Sequence, residues 1–159
     1  MTEQAFIEGR FTAPRDRRER MTAALLRHLP PDSAARILDL GCGGGQQLLD
    51  LAAVYTRAEL VGIDTSRANV DSARRAVADR GAEARIAVEE RDYLAYAGGP
   101  FDAVVSDSVL QNIPGADDRL YAKLAEDIRP GGLLVASIPY GCVFNRVLWL
   151  GRRTLRLVR

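Results

Sequence analysis

Four acids stand where a short apolar run gives way to a loop: Asp39 near the end of RILDL, Asp64 after ELVGI, Asp92 in ERDYL and Asp107 in FDAVVSDS. Behind Asp39 come Gly41, Gly43, Gly44 and Gly45, with Cys42 among them. Glycine has no Cβ, so such a loop takes up positive φ and lets a ligand lie against the main chain. The segment that follows is patterned as a helix from Gln46, and its first N–H groups and positive dipole end suit a carboxylate or phosphate. At the end of the next run, Asp64 can accept hydrogen bonds from two ribose hydroxyls. These features together point to an adenosine-type ligand. Each residue also has a plainer reading: a tight strand-to-helix turn for the glycines, and an N-terminal cap for the helix near Ser66 for Asp64.

The elements that must hold these residues follow from periodicity. Met21, Leu25 and Leu29 recur on one helical face over residues 15–29, and Pro30-Pro31 stops that helix. Five short β-type runs follow at 36–40, 59–63, 85–89, 102–106 and 133–138, several apolar enough to be buried on both faces. Helical patterns lie between most of them. They span 46–54; 66–80, with Val70, Ala73 and Val77 inward and Gly81 as the stop; and 117–128, with Leu120, Leu124 and Ile128 aligned. YLAYAGG, between the third and fourth runs, is too short for a helix. Repeated βα units predict an α/β fold: a doubly wound, mostly parallel sheet of about five strands with flanking helices. Ligands bind such sheets beyond the C-terminal ends of the strands, where the connections change direction, and the glycine loop falls at such an end.

A chain of 159 residues is expected to form a single domain over 15–159, preceded by a flexible arm at 1–14. Its 22 basic and 21 acidic side chains leave a net charge of +1, so no basic field recruits nucleic acid or an acidic membrane, and a small-molecule partner is expected. Two cysteines outside any CxxC or Cys/His cluster argue against a disulfide framework or a zinc site, and no metal is expected. The first residues lack the apolar core of a signal peptide. No apolar run approaches about 18 residues, so no transmembrane segment and a cytoplasmic location are expected.

Spacing separates two ligand classes. The dinucleotide fingerprint G-x-G-x-x-G would need glycine at position 46 or 48, where Gln46 and Leu48 stand. The observed Asp39-Leu40-Gly41-Cys42-Gly43-Gly44-Gly45 resembles the first motif of class I S-adenosylmethionine-dependent methyltransferases. GIDTS, ERDYL, FDAVVSDSVLQNIP and LAEDIRPGGLLVASIP resemble that family's later motifs, in order. The resemblance covers 36 to about 140 and implies a Rossmann-like methyltransferase core, with S-adenosylmethionine as cofactor and S-adenosylhomocysteine as product. It places Asp39 against the cofactor's ammonium group, Gly41 and Gly43 beneath it, Asp64 at the ribose, Asp92 on the adenine amino group and Tyr93 on the ring. Cys42, Thr65 and Ser106 join the cofactor-binding set through their places in these motifs.

Methyl transfer from a sulfonium is an in-line displacement, so holding the reactants collinear and dry is the protein's main task. A base adds about 10² to 10⁴ fold where the acceptor must lose a proton. Relatives often carry a histidine after strand four, whereas this chain has Gln111 and Asn112 there, and its only histidine, His28, lies near the end of the leading helix. The remaining candidates are Asp107 and, for orienting an acceptor, Gln111; both also read as ordinary loop residues. SDSV departs from the N/D-P-P-aromatic motif of the branch that methylates base nitrogens, which disfavours adenine N6 methylation.

The family continues past strand five with a helix and two further strands, which YGCVFNRVLWLGRRTLRLVR is too short to supply. The last two strands are therefore expected to be missing. An exposed apolar edge on strand five would be an aggregation hazard, so a truncated chain, a shortened natural variant, or a homo-oligomer or partner chain covering the edge is expected, with truncation or a partner favoured. Residues 146–159 carry five arginines among apolar residues, read as a helix packing on the sheet or as a basic amphipathic helix lying on a membrane or partner. The expected function is methyl transfer to a small-molecule acceptor. The alternative is a cofactor-binding but inactive subunit or fragment that needs a partner chain.

Overall fold

The computed structural model describes residues 14–113 and 117–138. The expected arm, but for Pro14, and the basic C-terminal segment lie outside them. The chain starts with helix α1 (Arg15–Leu26) and then alternates: β1 (Arg36–Leu40), α2 (Gln46–Val54), β2 (Glu59–Asp64), α3 (Arg67–Ala78), β3 (Ile86–Glu90), β4 (Phe101–Asp107), α4 (Asp117–Asp127) and β5 (Ile128–Ser137). Short 3₁₀ turns at Tyr93–Ala95 and Leu110–Asn112 fill the places where no helix forms.

All strand pairs among the described residues are parallel, in the order β3-β2-β1-β4-β5. Connections run outward from β1 through β2 to β3, then return to β4 on its other side. The C-terminal ends of β1 and β4 therefore form the switch point where such sheets bind ligands. β1 is buried on both faces. Ile37 enters a core with Leu25, Leu48, Leu51, Val70 and Ala73, while Leu38 and Leu40 enter a second with Val104, Leu110, Leu120 and Leu124. By the same alternation Asp39 shares the face of Ile37, the side covered by α1, α2 and α3.

Several boundaries differ from the sequence reading. α1 ends at Leu26 rather than at Leu29, because Pro30 pushes Leu29 before it out of the helical region and neither proline can donate a hydrogen bond to the last turn. β3 starts one residue late, at Ile86. Ile128, which continues the apolar stripe of α4 in sequence, is instead the first residue of β5, opposite Phe101. Pro130-Gly131-Gly132 lies inside that strand and is absorbed by a register shift between Phe101 and Ala103.

A close approach ties the sheet to the glycine loop. A Cβ on Gly62 would lie 2.5 Å from Leu48 Cδ1 and 3.0 Å from Cys42 Cβ. Gly62→Ala is thus expected to destabilise the fold by about 1–3 kcal/mol through overpacking, read as a lower urea midpoint at unchanged slope.

Candidate active site

Two backbone bonds and one side chain shape the glycine loop. Gly41 N and Cys42 N donate to Ile63 O at 2.8 and 3.0 Å, and Gly43 N donates to Asp64 Oδ2 at 3.0 Å, so the end of β2 holds the loop. Gly41 has φ +78°, and a Cβ there would fall 2.3 Å from Val109 Cγ2; the loop and the turn after β4 touch with no room for a side chain. No side chain caps α2, so its first N–H groups remain available to an anion. Cys42 is buried, and burial followed by the charge of Asp39 pushes its thiol up, away from the reactive thiolate.

Asp39 is 3% exposed, and its Oδ2 has no hydrogen-bond partner. Burial, then the charges of Asp64 and Asp107, push its carboxyl up to about 7. A buried acceptor left unsatisfied costs free energy until a donor arrives, and a cationic donor would offset the most. Asp64 receives Gly43 N at Oδ2, and Ser66 N at 2.8 Å and Asn69 Nδ2 at 3.3 Å at Oδ1. A carboxylate has about four acceptor positions, so the role of Asp64 in closing the start of α3 leaves room for a ligand hydroxyl. Asn69 had no signal in the sequence beyond its place in the first turn of α3.

The orphaned Asp39 oxygen, the crowded glycine turn, the uncapped helix and the partly engaged Asp64 fit the amino acid and ribose portions of S-adenosylmethionine. The rest of the expected set divides by exposure. Thr65 is exposed beside Asp64, and Asp92 is exposed, its Oδ1 accepting from Leu94 N at 2.9 Å. Tyr93 points the other way: it is 3% exposed in the second core, with Lys123 Nζ 5.3 Å from its ring centroid. Burial and the neighbouring Asp127 push its phenol up. Ser106 is fully buried and donates to Leu40 O at 3.3 Å, joining β4 to β1. Neither the ring of Tyr93 nor the hydroxyl of Ser106 is presented at the surface.

At the end of β4, Asp107 is held by a residue that the sequence did not single out. Arg17 Nη1 donates to Asp107 Oδ1 at 3.1 Å and Oδ2 at 3.4 Å, and to Ser108 Oγ at 3.1 Å. Ser108 has φ 59°, uncommon for a residue with a side chain. Its N–H donates to Ser137 O, and its carbonyl accepts from Gln111 Nε2 at 2.6 Å and Asn112 Nδ2 at 3.0 Å. Gln111 therefore steadies the turn with its amide nitrogen, while His28 stands exposed after α1.

An all-parallel doubly wound sheet with an acid-led glycine loop at its switch point and a second acid closing β2 defines a Rossmann-like domain for an adenosine-type ligand. The chain belongs to the methyltransferase-domain family, whose model matches residues 37–132. It is 33% identical over 125 residues to a trans-aconitate 2-methyltransferase of Azoarcus sp. (strain BH72), across 78% of this chain and 47% of that protein. It is 36% identical over 109 residues to a ubiquinone biosynthesis O-methyltransferase of Chelativorans sp. (strain BNC1), across 68% of this chain and 42% of that one. The solved structure of YjhP from E. coli matches with a TM-score of 0.68 at 27% identity, covering 84% of this chain and 54% of that one. The chain thus spans under half the length of the first two relatives. No described helix is long and apolar enough to cross a membrane.

Proposed function

We propose that the chain binds S-adenosylmethionine and transfers its methyl group to a small-molecule acceptor. The observation that carries this reading is the buried carboxylate oxygen of Asp39, unpartnered behind the glycine loop. The cofactor supplies an electrophilic methyl on a sulfonium. Asp39 holds the ammonium group, the start of α2 faces the carboxylate, Asp64 with Thr65 takes the ribose hydroxyls, and Asp92 reaches the adenine amino group. Asp107 and Gln111 line the acceptor side beyond β4. Support for a small acceptor comes from the names of the relatives, both of which act on small molecules by those names. The test is incubation with methyl-labelled S-adenosylmethionine and a mixture of small-molecule acceptors. Label moving into a low-mass product supports transfer; cofactor binding without any transfer contradicts it.

A second reading has its own observation. β5 is one of the two edge strands among the described residues, and Leu134 within it and Ile138 just after it are exposed at 42% and 54%. A second copy or partner chain covering that edge would make the chain a subunit, inactive until paired. Light scattering on the purified chain separates the two: a monomer that turns over rules out the subunit reading.

A further inference from the structure

We propose that Arg17 selects the acceptor, and that the acceptor is a carboxylic acid bound as its anion; the proposal rests on the methyl-transfer reading above. Arg17 lies in the first turn of α1, yet its guanidinium reaches the end of β4, where Nη1 meets both oxygens of Asp107 and the hydroxyl of Ser108. The following residue, Val109, sits against Gly41, so the guanidinium stands one residue from the glycine loop.

Only Nη1 is engaged. Nε and Nη2 have no partner among the described residues, and the side chain is 37% exposed. These N–H groups form the fork that grips a carboxylate by two parallel bonds. The grip is preorganised. The Ser108 turn is pinned by Ser137 O, Gln111 and Asn112, so Asp107 and Ser108 hold the guanidinium in place. The Asp107 side chain is 15% exposed beneath Arg17, and the positive charge of the paired guanidinium offsets the repulsion it would exert on an incoming anion.

The chemistry agrees with the geometry. Asp107 is committed to Arg17 and the amide nitrogen of Gln111 to Ser108, which suits an acceptor that has no proton to lose. A carboxylic acid, with a pKa of about 4, arrives deprotonated at neutral pH. Its oxygen forms the new C–O bond to the methyl carbon while the C–S bond of S-adenosylmethionine breaks and leaves its electron pair on sulfur. The products are a methyl ester and S-adenosylhomocysteine, and no proton moves.

The test titrates the 159-residue chain, saturated with S-adenosylhomocysteine, with succinate, tricarballylate and benzoate, each beside its amide. The expected result is that at least one acid binds about tenfold more tightly than its amide. Arg17→Ala should lose about tenfold in that acid's affinity with cofactor affinity kept within about twofold. Arg17→Lys keeps a cation for Asp107, which protects the fold, but it lacks the fork and should lose severalfold. Acids binding no better than amides, or both variants binding like the parent, would overturn the proposal and leave the methyl-transfer reading standing. Failure of S-adenosylhomocysteine itself to bind would bring down both.

Discussion

Asp39→Asn is expected to stabilise the ligand-free chain at pH 8 while abolishing its affinity for S-adenosylhomocysteine. The folded carboxyl is pushed up to about 7, first by burial and then by Asp64 and Asp107, against about 3.9 in an unfolded chain. Below about pH 4 both states hold the proton and the group has no effect on stability. As pH rises from about 4 to 7, the unfolded chain releases the proton and the folded one keeps it, so folding becomes less favourable. Above about 7 the whole penalty is present. Asparagine removes a penalty of up to about 4 kcal/mol at pH 8, at about 1.4 kcal/mol per pH unit. The same change deprives the ligand's ammonium of its counter-charge, a loss of about 100-fold or more. Thermal unfolding at pH 4 and pH 8, with calorimetry on both proteins, reads the two effects. An unfolding midpoint unmoved at pH 8 together with intact binding would contradict the role of Asp39.

Asp64→Ala should weaken the same affinity by about 100-fold while destabilising the ligand-free chain, opposite in sign to the Asp39 variant. Three donors lose their acceptor: Gly43 N, Ser66 N and Asn69 Nδ2. The loss at the start of α3 resembles the loss of a helix cap, and Gly43 N is part-buried, so about 1–3 kcal/mol of stability goes with it. The loop beneath the cofactor then loses its tie to β2, and the ribose loses its acceptor. Asp64→Asn retains one oxygen and should fall between. Denaturant unfolding and S-adenosylhomocysteine titration check both parts; a destabilised chain with full affinity would confine Asp64 to capping.

What could be read from sequence depended on how local each feature is. RILDL and ELVGID are strands because both of their faces are buried, so a continuous apolar run marks them within a residue. The positions of Asp39 and Asp64 could be read because each stands at or next to the end of such a run, beside its own loop. The start of β5 was not: Pro130-Gly131-Gly132 reads as a turn, and only pairing with Phe101 draws Ile128 into the strand. Tyr93 illustrates the opposite failure, since adjacency to Asp92 in sequence says nothing about direction, and the aromatic ring turns into the core. Arg17 could not be found at all. It lies 90 residues from Asp107, in RDRRER, where Arg15 pairs with Glu19, Arg18 with Asp50 and Arg20 with Asp16. Only the packing of α1 against β5 and α2 decides which arginine reaches the site.

The most direct test of the central claim is calorimetric titration of the 159-residue chain with S-adenosylmethionine and S-adenosylhomocysteine, with NADH as control, in two buffers of different ionisation enthalpy near pH 7. The account predicts that both sulfur ligands bind, that NADH does not, and that binding releases a proton as Asp39 takes up the ammonium group. Binding of NADH in their place, or of none of the three, would contradict it.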